Sequence, residues 1–317
     1  MKIAERIKKS DKTLFTFELL PPLKGDNIGT IHEMIEPLLE FSPAYINVTY
    51  HREEVVYKKR DGGLLEKKIV RKRPGTVGIT AAIKFKYKIE VIPHIICGGF
   101  SREETENALI DLHFLGIHNL LVLRGDVPKS EKYFVAECDG HEHAIDLVRQ
   151  VQDLNKGIYL DDEVENKTPT DFSIGVAGYP EKHAEAPNMQ SDLRYLKQKI
   201  EAGAEYIVTQ MFYDNAKYFS FVKQCRAEGI DVPIIPGIKP IASIKQINML
   251  PQTFNIDIPN ALAQEIEKCK NNEQAREVGV EWTTAQAKEL LKAGVPALHF
   301  FTMGRADNIR KIAKAVF

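Results

Sequence analysis

Polar side chains suited to chemistry recur at the ends of short apolar runs along this 317-residue chain. In order they are Glu18, Thr49, His94, Arg124 with Asp126, Tyr179 with His183, Gln210, Gln246 and Arg305. Glu18 sits between Phe17 and the apolar Leu19-Leu20-Pro21-Pro22. A carboxylate held among apolar groups is costly to ionise, which raises its pKa and suits it to donate a proton. The same local sequence also fits a glutamate paired with an arginine, and both readings stand at this level. The run 120–123, Leu-Leu-Val-Leu, stops on Arg124-Gly125-Asp126, a cation, a turn-permitting glycine and a carboxylate. Gln210 offers both a donor and an acceptor, the pattern that reads the amide edge of a heterocycle. Phe212 and Tyr213 suit either stacking on a flat ligand or core packing. His94, between apolar neighbours, reads as a core histidine, and no histidines at metal-ligand spacing surround it, so no metal site is expected. His141 and His143 flank Glu142, and on a helix their side chains would face apart.

Residues of this kind become one site only if the elements carrying them converge. Apolar runs at 14–20, 45–50, 90–96, 120–123, 172–177, 206–210, 233–235 and 297–301 read as strands. Between them lie helical stretches at 28–41, 76–87, 101–115, 141–154, 192–202, a segment through 227, 243–250, two helices running to about 292, and 307–316. Ser101-Arg102-Glu103-Glu104 is a capping box, and Gly116, Gly203, Gly229 and Gly294 supply stops. Eight strands alternating with helices predict a single (β/α)₈ barrel over residues 1–317, with extra helices before the last strand. Such a barrel brings every strand's carboxyl end to one rim. A doubly wound open sheet is the alternative, disfavoured because no Gly-x-Gly-x-x-Gly follows the first strand. Residues 57–73 form a basic excursion, from Lys58-Lys59-Arg60 to Arg71-Lys72-Arg73, expected as a solvated surface hairpin.

Composition narrows the class. Apolar residues make up 44% and charged residues 27%, as in an ordinary globular protein, and the net charge of −1 gives no general attraction to nucleic acid or anionic membranes. Residues 1–12 lack the apolar core of a signal peptide, and no run is long enough to span a membrane. Four scattered cysteines without a Cys-x-x-Cys pair fit a reducing cytosol. A cytoplasmic protein is expected.

A set of short motifs, in order on successive strands, resembles the methylenetetrahydrofolate reductase family over nearly the whole chain. They are Phe17-Glu18-Leu19-Leu20-Pro21-Pro22, Val48-Thr49-Tyr50, Pro93-His94, Leu123-Arg124-Gly125-Asp126, Tyr179-Pro180-Glu181-x-His183-x-Glu185-Ala186, Thr209-Gln210-Met211-Phe212-Tyr213-Asp214, Pro236-Gly237-Ile238 and His299-Phe300-Phe301-Thr302-x-x-Arg305-Ala306. The resemblance implies a barrel holding FAD at its carboxyl rim, reduced by NADH or NADPH and reoxidised by 5,10-methylenetetrahydrofolate. It makes Glu18 the general acid and Asp126 the carboxylate near flavin and pterin. Gln210, Gln246 and Arg305, with Glu18, match substrate positions. Thr49, His94, Arg124, Gly125, Asp126, His143, Ala144, Ala177, Tyr179, His183, Asp192 and Lys199 match flavin positions.

The sequence departs from the family pattern at His143, where tyrosine is usual, and at Leu250, where a stacking phenylalanine is common. Because the chain stops soon after its eighth strand, the expectation is that it lacks the regulatory domain of eukaryotic relatives and does not respond to S-adenosylmethionine. A homo-oligomer is consistent with the family. Flavin-free and ferredoxin-linked reductases, and a non-catalytic folate-binding subunit, are the competing readings. A metal-dependent barrel methyltransferase is disfavoured by the lack of a thiolate cluster.

Overall fold

The computed structural model describes residues 1–128 and 131–317. The chain begins with α1 (Ile3–Lys9) and β1 (Leu14–Leu19), followed by α2 (Ile28–Ile35), which tightens into a 3₁₀ turn over Glu36–Phe41. β2 (Tyr45–Val48) leads into a hairpin of β3 (Glu54–Lys59) and β4 (Leu65–Val70), then α3 (Thr76–Tyr87). Next come β5 (Glu90–Ile96), α4 (Arg102–Phe114), β6 (Asn119–Leu123), α5 (Ala144–Asn155), β7 (Ser173–Gly178) and α6 (Met189–Glu201). The chain finishes through β8 (Tyr206–Thr209), α7 (Asn215–Ala227), β9 (Ile234–Ile235), β10 (Gly237–Ile238), α8 (Gln246–Phe254), α9 (Asn260–Glu267), α10 (Asn272–Lys292), β11 (Ala297–Phe301) and α11 (Asp307–Val316).

Apart from the hairpin, every strand pairs in parallel, in the order β10-β11-β1-β2-β5-β6-β7-β8-β9. The two ends of that order are one strand interrupted at Pro236, which lacks the N–H a continuous ladder needs. Its first half pairs with β8 and its second half with β11. The Pro236 carbonyl accepts from the His299 N–H at 3.1 Å, so the chain itself closes the ring. The eight-stranded barrel expected from the alternating pattern is therefore present, with its seventh strand split.

Alternation along each strand sets two faces. Phe17, Ile46, Val91, Val122, Val176, Ile207, Ile238 and Phe300 turn outward into the main core against the helices. Tyr45, Ile92, Leu121, Tyr206 and Ile235 face the barrel interior. Gly175 leaves room for the Tyr206 ring, whose hydroxyl donates to the Leu120 carbonyl at 2.8 Å.

Local chemistry fixes the boundaries, and some differ from expectation. The Ser101 capping box is formed in full. The helix expected over 141–154 begins instead at Ala144. His141 is buried in the preceding loop, its ring 2.5 Å from the side-chain amide oxygen of Gln150, and Gly140 bridges to Ser101. These ties hold the segment between the side of α5 and the start of α4, so the histidine pair is not helical. The short helix expected at 243–250 runs Gln246–Phe254.

The charged amino terminus holds a helix the sequence pattern did not predict. In α1, Ile3, Ala4 and Ile7 pack with Tyr45, Ile92, Leu121, Tyr206 and Ala297 over the amino ends of the strands. The Ile3 N–H donates to Asn119 Oδ1 at 2.8 Å and Arg6 donates to the Ala44 carbonyl at 2.6 Å. A two-turn helix with so narrow an apolar stripe gives little periodic signal, and tertiary packing supplies its stability.

The basic excursion folds as an antiparallel hairpin with Val55 opposite Ile69 and Lys59 opposite Leu65. It stands in the loop after β2, on the carboxyl rim, with Tyr57, Leu64, Leu65 and Ile69 exposed.

Candidate active site

Inward positions near the carboxyl ends of the strands converge on Glu18. On β1, Thr16 and Glu18 alternate with the outward Phe15 and Phe17, so Glu18 faces the interior. Its backbone carbonyl accepts from the Thr302 hydroxyl at 2.7 Å, tying the end of β1 to the loop after β11. Glu18 Oε2 lies 3.5 Å from His94 Nε2, and the amide nitrogen of Asn47 is 3.3 Å from the same imidazole nitrogen. Burial raises the Glu18 pKa to about 8, and the nearby negative charge of Asp126 adds to the effect. Burial also pushes His94 down to about 3, reinforced by His299 and His51. At neutral pH the pair is therefore an uncharged carboxylic acid beside a neutral imidazole, able to share one hydrogen bond. His51 is lowered by burial and by the charge of Arg73, with Asp126 and Glu54 opposing.

Asp126 reaches this position through the turn after β6. Gly125 adopts φ of +91°, and a Cβ there would press on Ile96. A side chain is thus excluded, and the backbone lies open where the chain leaves the strand. The Arg124 carbonyl accepts from the Gly98 N–H at 3.1 Å, extending the pairing of β5 with β6 past the strand ends.

A second group of residues gathers around the β7 end. Arg124 grips Glu185 through two parallel hydrogen bonds of 2.6 and 2.7 Å, and its guanidinium stacks over Phe134 at 4.9 Å. The Glu185 N–H donates to His183 Nδ1 at 3.2 Å, and the His183 N–H donates to Asp192 Oδ2 at 2.9 Å. Tyr179 packs edge-on against His183, with 4.7 Å between ring centres. Lys199 donates to the Ala177 carbonyl at 3.1 Å; burial lowers its pKa to about 8 against the raising effect of Asp192. Burial raises the Tyr179 phenol, and the charges of Asp192 and Asp126 raise it further, so the two groups of residues adjoin. Lys182, at φ of +80°, donates to the Ala186 carbonyl at 2.8 Å and staples the loop.

The structure thus brings together Glu18, His94 and Asp126, and beside them Arg124, Gly125, Ala177, Tyr179, His183, Asp192 and Lys199. Thr49 continues β2 past its end, its N–H donating to the Leu19 carbonyl at 3.1 Å. Gln210 follows the inward Tyr206 and Val208 in phase, and its side-chain oxygen accepts from the Met211 N–H at 2.9 Å. The remaining positions engage the site less directly. Gln246 accepts from the Ala242 N–H at 2.7 Å, holding its own helix start, and Arg305 is exposed. His143 is exposed at the amino end of α5, just ahead of Ala144. Leu250 is buried in a satellite core with Met211, Tyr213 and Ile256 and presents no stacking face.

Sequence reasoning missed Asn47, Thr302 and the Glu185 partner of Arg124. The inward phase of Asn47 between Ile46 and Val48 was the one available signal; the other two contacts cross 284 and 61 residues of chain.

A donor set of guanidinium, imidazole and ammonium around Gly125 and Ala177 suits an anionic, extended ligand, and the side-chain-free approach at Gly125 admits a flat group beside Asp126. These features fit a flavin nucleotide.

A family model described as methylenetetrahydrofolate reductase matches residues 2–316. The chain is 32% identical over 297 residues to 5,10-methylenetetrahydrofolate reductase of Pectobacterium carotovorum subsp. carotovorum, covering 92% of this chain and 86% of that protein. It is 31% identical over 320 residues to methylenetetrahydrofolate reductase (NADH) 1 of Arabidopsis thaliana, covering 96% of this chain and 48% of that protein. The chain spans about half the length of the plant relatives it matches. Among solved structures, a Clostridium thermocellum protein described as binding two copies of 5-methyl-5,6,7,8-tetrahydrofolic acid shares the fold. Its TM-score is 0.57 at 16% identity, covering 98% of this chain and 97% of that one.

Proposed function

Because the chain belongs to the methylenetetrahydrofolate reductase family, we propose that it reduces 5,10-methylenetetrahydrofolate to 5-methyltetrahydrofolate with electrons from NADH or NADPH, through bound FAD. The observation that carries this reading is a carboxylic acid, Glu18, whose side chain is only 14% exposed and is held protonated at neutral pH within the field of an ionisable partner, Asp126. Opening the five-membered ring of the folate needs a proton at nitrogen and leaves a cationic iminium carbon. Glu18 supplies the proton, since a carboxyl with a pKa near 8 is still an acid at neutral pH. Asp126 supplies negative charge on the side where the cation develops.

His94 and Asn47 keep the Glu18 carboxyl oriented, and the Thr302 hydroxyl holds its backbone. Gln210 and Gln246 offer amide groups, and Arg305 a cation, for the edges and charges of the substrate. The chemistry supplied by FAD, when bound, would be hydride transfer between nicotinamide and folate. Arg124, His183, Asp192 and Lys199 would hold the anionic and polar parts of FAD, with Thr49, His94, Gly125, His143, Ala144, Ala177 and Tyr179 lining the rest. Two parallel hydrogen bonds to Glu185 fix the plane of the Arg124 guanidinium. The four unpaired cysteines accord with a cytoplasmic setting.

The test is an absorption spectrum of the purified protein, followed by anaerobic addition of NADH and then of methylenetetrahydrofolate. A yellow protein that bleaches with NADH and regains colour with the folate supports the reading. A colourless protein that still turns over points to direct hydride transfer, and flavin that only a reduced ferredoxin can bleach points to a protein-linked reductase.

A further inference from the structure

Lys239 is 2% exposed, and its ammonium nitrogen has no hydrogen-bond partner among the described residues. It follows β10 directly. Ile238 turns outward into the main core, so alternation turns Gly237 and Lys239 inward. Ile238 is in register with Phe300, and Phe301 with Glu18. One further step therefore sets Lys239 level with Phe301 and two strands from Glu18, at the carboxyl end of the barrel. A side chain on Gly237 would meet the Thr209 carbonyl and the Phe301 ring, so the interior beneath Lys239 is packed.

Lys199, the other buried lysine of the rim, donates to the Ala177 carbonyl and feels the Asp192 charge. Lys239 has neither kind of support, and burial alone pulls its pKa down to about 8. An ammonium group taken out of water without a partner destabilises the fold, whereas an apolar side chain of similar volume would not. A position that bears this cost is explained when a ligand completes the missing hydrogen bond.

We propose that Lys239 is a ligand-binding residue of the barrel mouth, its ammonium group donating to an amide-type ring or carboxamide carbonyl of the molecule that lies beside Glu18. The inference rests on the reductase reading, under which two such carbonyls occupy the mouth in turn, one on the pterin and one on the nicotinamide.

Lys239→Met and Lys239→Arg, prepared in the flavin-loaded protein, separate a binding role from a structural one. Three quantities are measured: the thermal unfolding midpoint, the dissociation constant for 5-methyltetrahydrofolate, and the half-saturating NADH concentration for anaerobic flavin bleaching. Lys239→Met is expected to raise the midpoint and to weaken at least one ligand by about ten- to a hundredfold, the usual range for a hydrogen bond to a charged group. Lys239→Arg, which keeps the charge, is expected to recover part of that loss. Weakening confined to the folate assigns the pterin carbonyl, and weakening confined to NADH assigns the carboxamide. A lowered midpoint in Lys239→Met with both affinities within twofold of the parent would make the lysine structural and overturn the proposal. Parent protein that binds neither ligand would instead overturn the reductase reading itself.

Discussion

The Glu18 carboxyl and the His94 imidazole lie 3.5 Å apart at the mouth of the barrel, and burial keeps both uncharged at neutral pH. Two groups that would form an ion pair in water are here an acid and a neutral acceptor. The difference comes from desolvation: each is pushed toward its uncharged form more strongly than the partner's charge can resist. Under the proposed function, an acid kept protonated this way would donate to a substrate nitrogen.

Glu18→Gln should abolish reoxidation of reduced flavin by methylenetetrahydrofolate while bleaching by NADH continues. The measurement is the two half-reactions followed separately under anaerobic conditions. Loss of both would remove the acid role.

The same substitution has a stability signature. The folded pKa of Glu18, about 8, lies above its ordinary 4.5. Its protonated form therefore stabilises the fold fully below about pH 4.5, and that contribution is lost as pH rises toward 8. Glutamine does not titrate. Glu18→Gln should gain on the parent between pH 5 and 8, by on the order of a few kcal/mol at the upper end. Denaturant unfolding at several pH values reads the difference, and parallel curves would contradict it.

Asp126→Asn removes a negative charge that raises the Glu18 pKa. The alkaline limit of the folate half-reaction should then move to lower pH, and its maximal rate should fall by about ten- to a hundredfold as the cation loses its counter-charge. Flavin retention should be disturbed less than that rate. A pH–rate profile superimposable on that of the parent would exclude Asp126 from the mechanism.

Arg124→Lys keeps the charge but loses the planar fork that engages Glu185 through two bonds. Flavin should be retained less well, by roughly tenfold or more in dissociation constant, measured as flavin released on dilution or gel filtration. Unchanged retention would show that Arg124 serves only its ion pair.

Ile3→Ala and Ile7→Ala each remove a side chain wedged under the barrel, where Ile3 is fully buried and Ile7 nearly so. Each should cost about 2–4 kcal/mol in unfolding free energy, with flavin spectra of the folded protein unaffected. Losses below about 0.5 kcal/mol, within the range of ordinary surface substitutions, would mean that α1 is a loosely held terminus.

Much of the barrel was legible because its signals are local. Apolar runs of strand length, helices stopped by Gly116 or Gly203, and the Ser101 capping box are written in neighbouring residues. Elements whose stability comes from distant contacts were not. α1 escaped notice because only three of its seven residues are buried, and the strand ends that bury them lie far along the chain. The spacing predicts His141 in a helix, but its bond to Gln150 and the Gly140–Ser101 bridge draw it into a loop. Pro236 was visible in the sequence, but its role in splitting one strand between two neighbours emerges only when the ring closes.

By itself the sequence determined which side chains are suited to chemistry and that they stand at strand ends, because residue type and alternation are properties of a few adjacent positions. Only the tertiary structure decided the protonation of those groups and their partners. Desolvation of Glu18, the neutral state of His94, the Arg124–Glu185 fork and the unpartnered Lys239 all depend on what surrounds each group in space, and those surroundings come from segments tens to hundreds of residues apart.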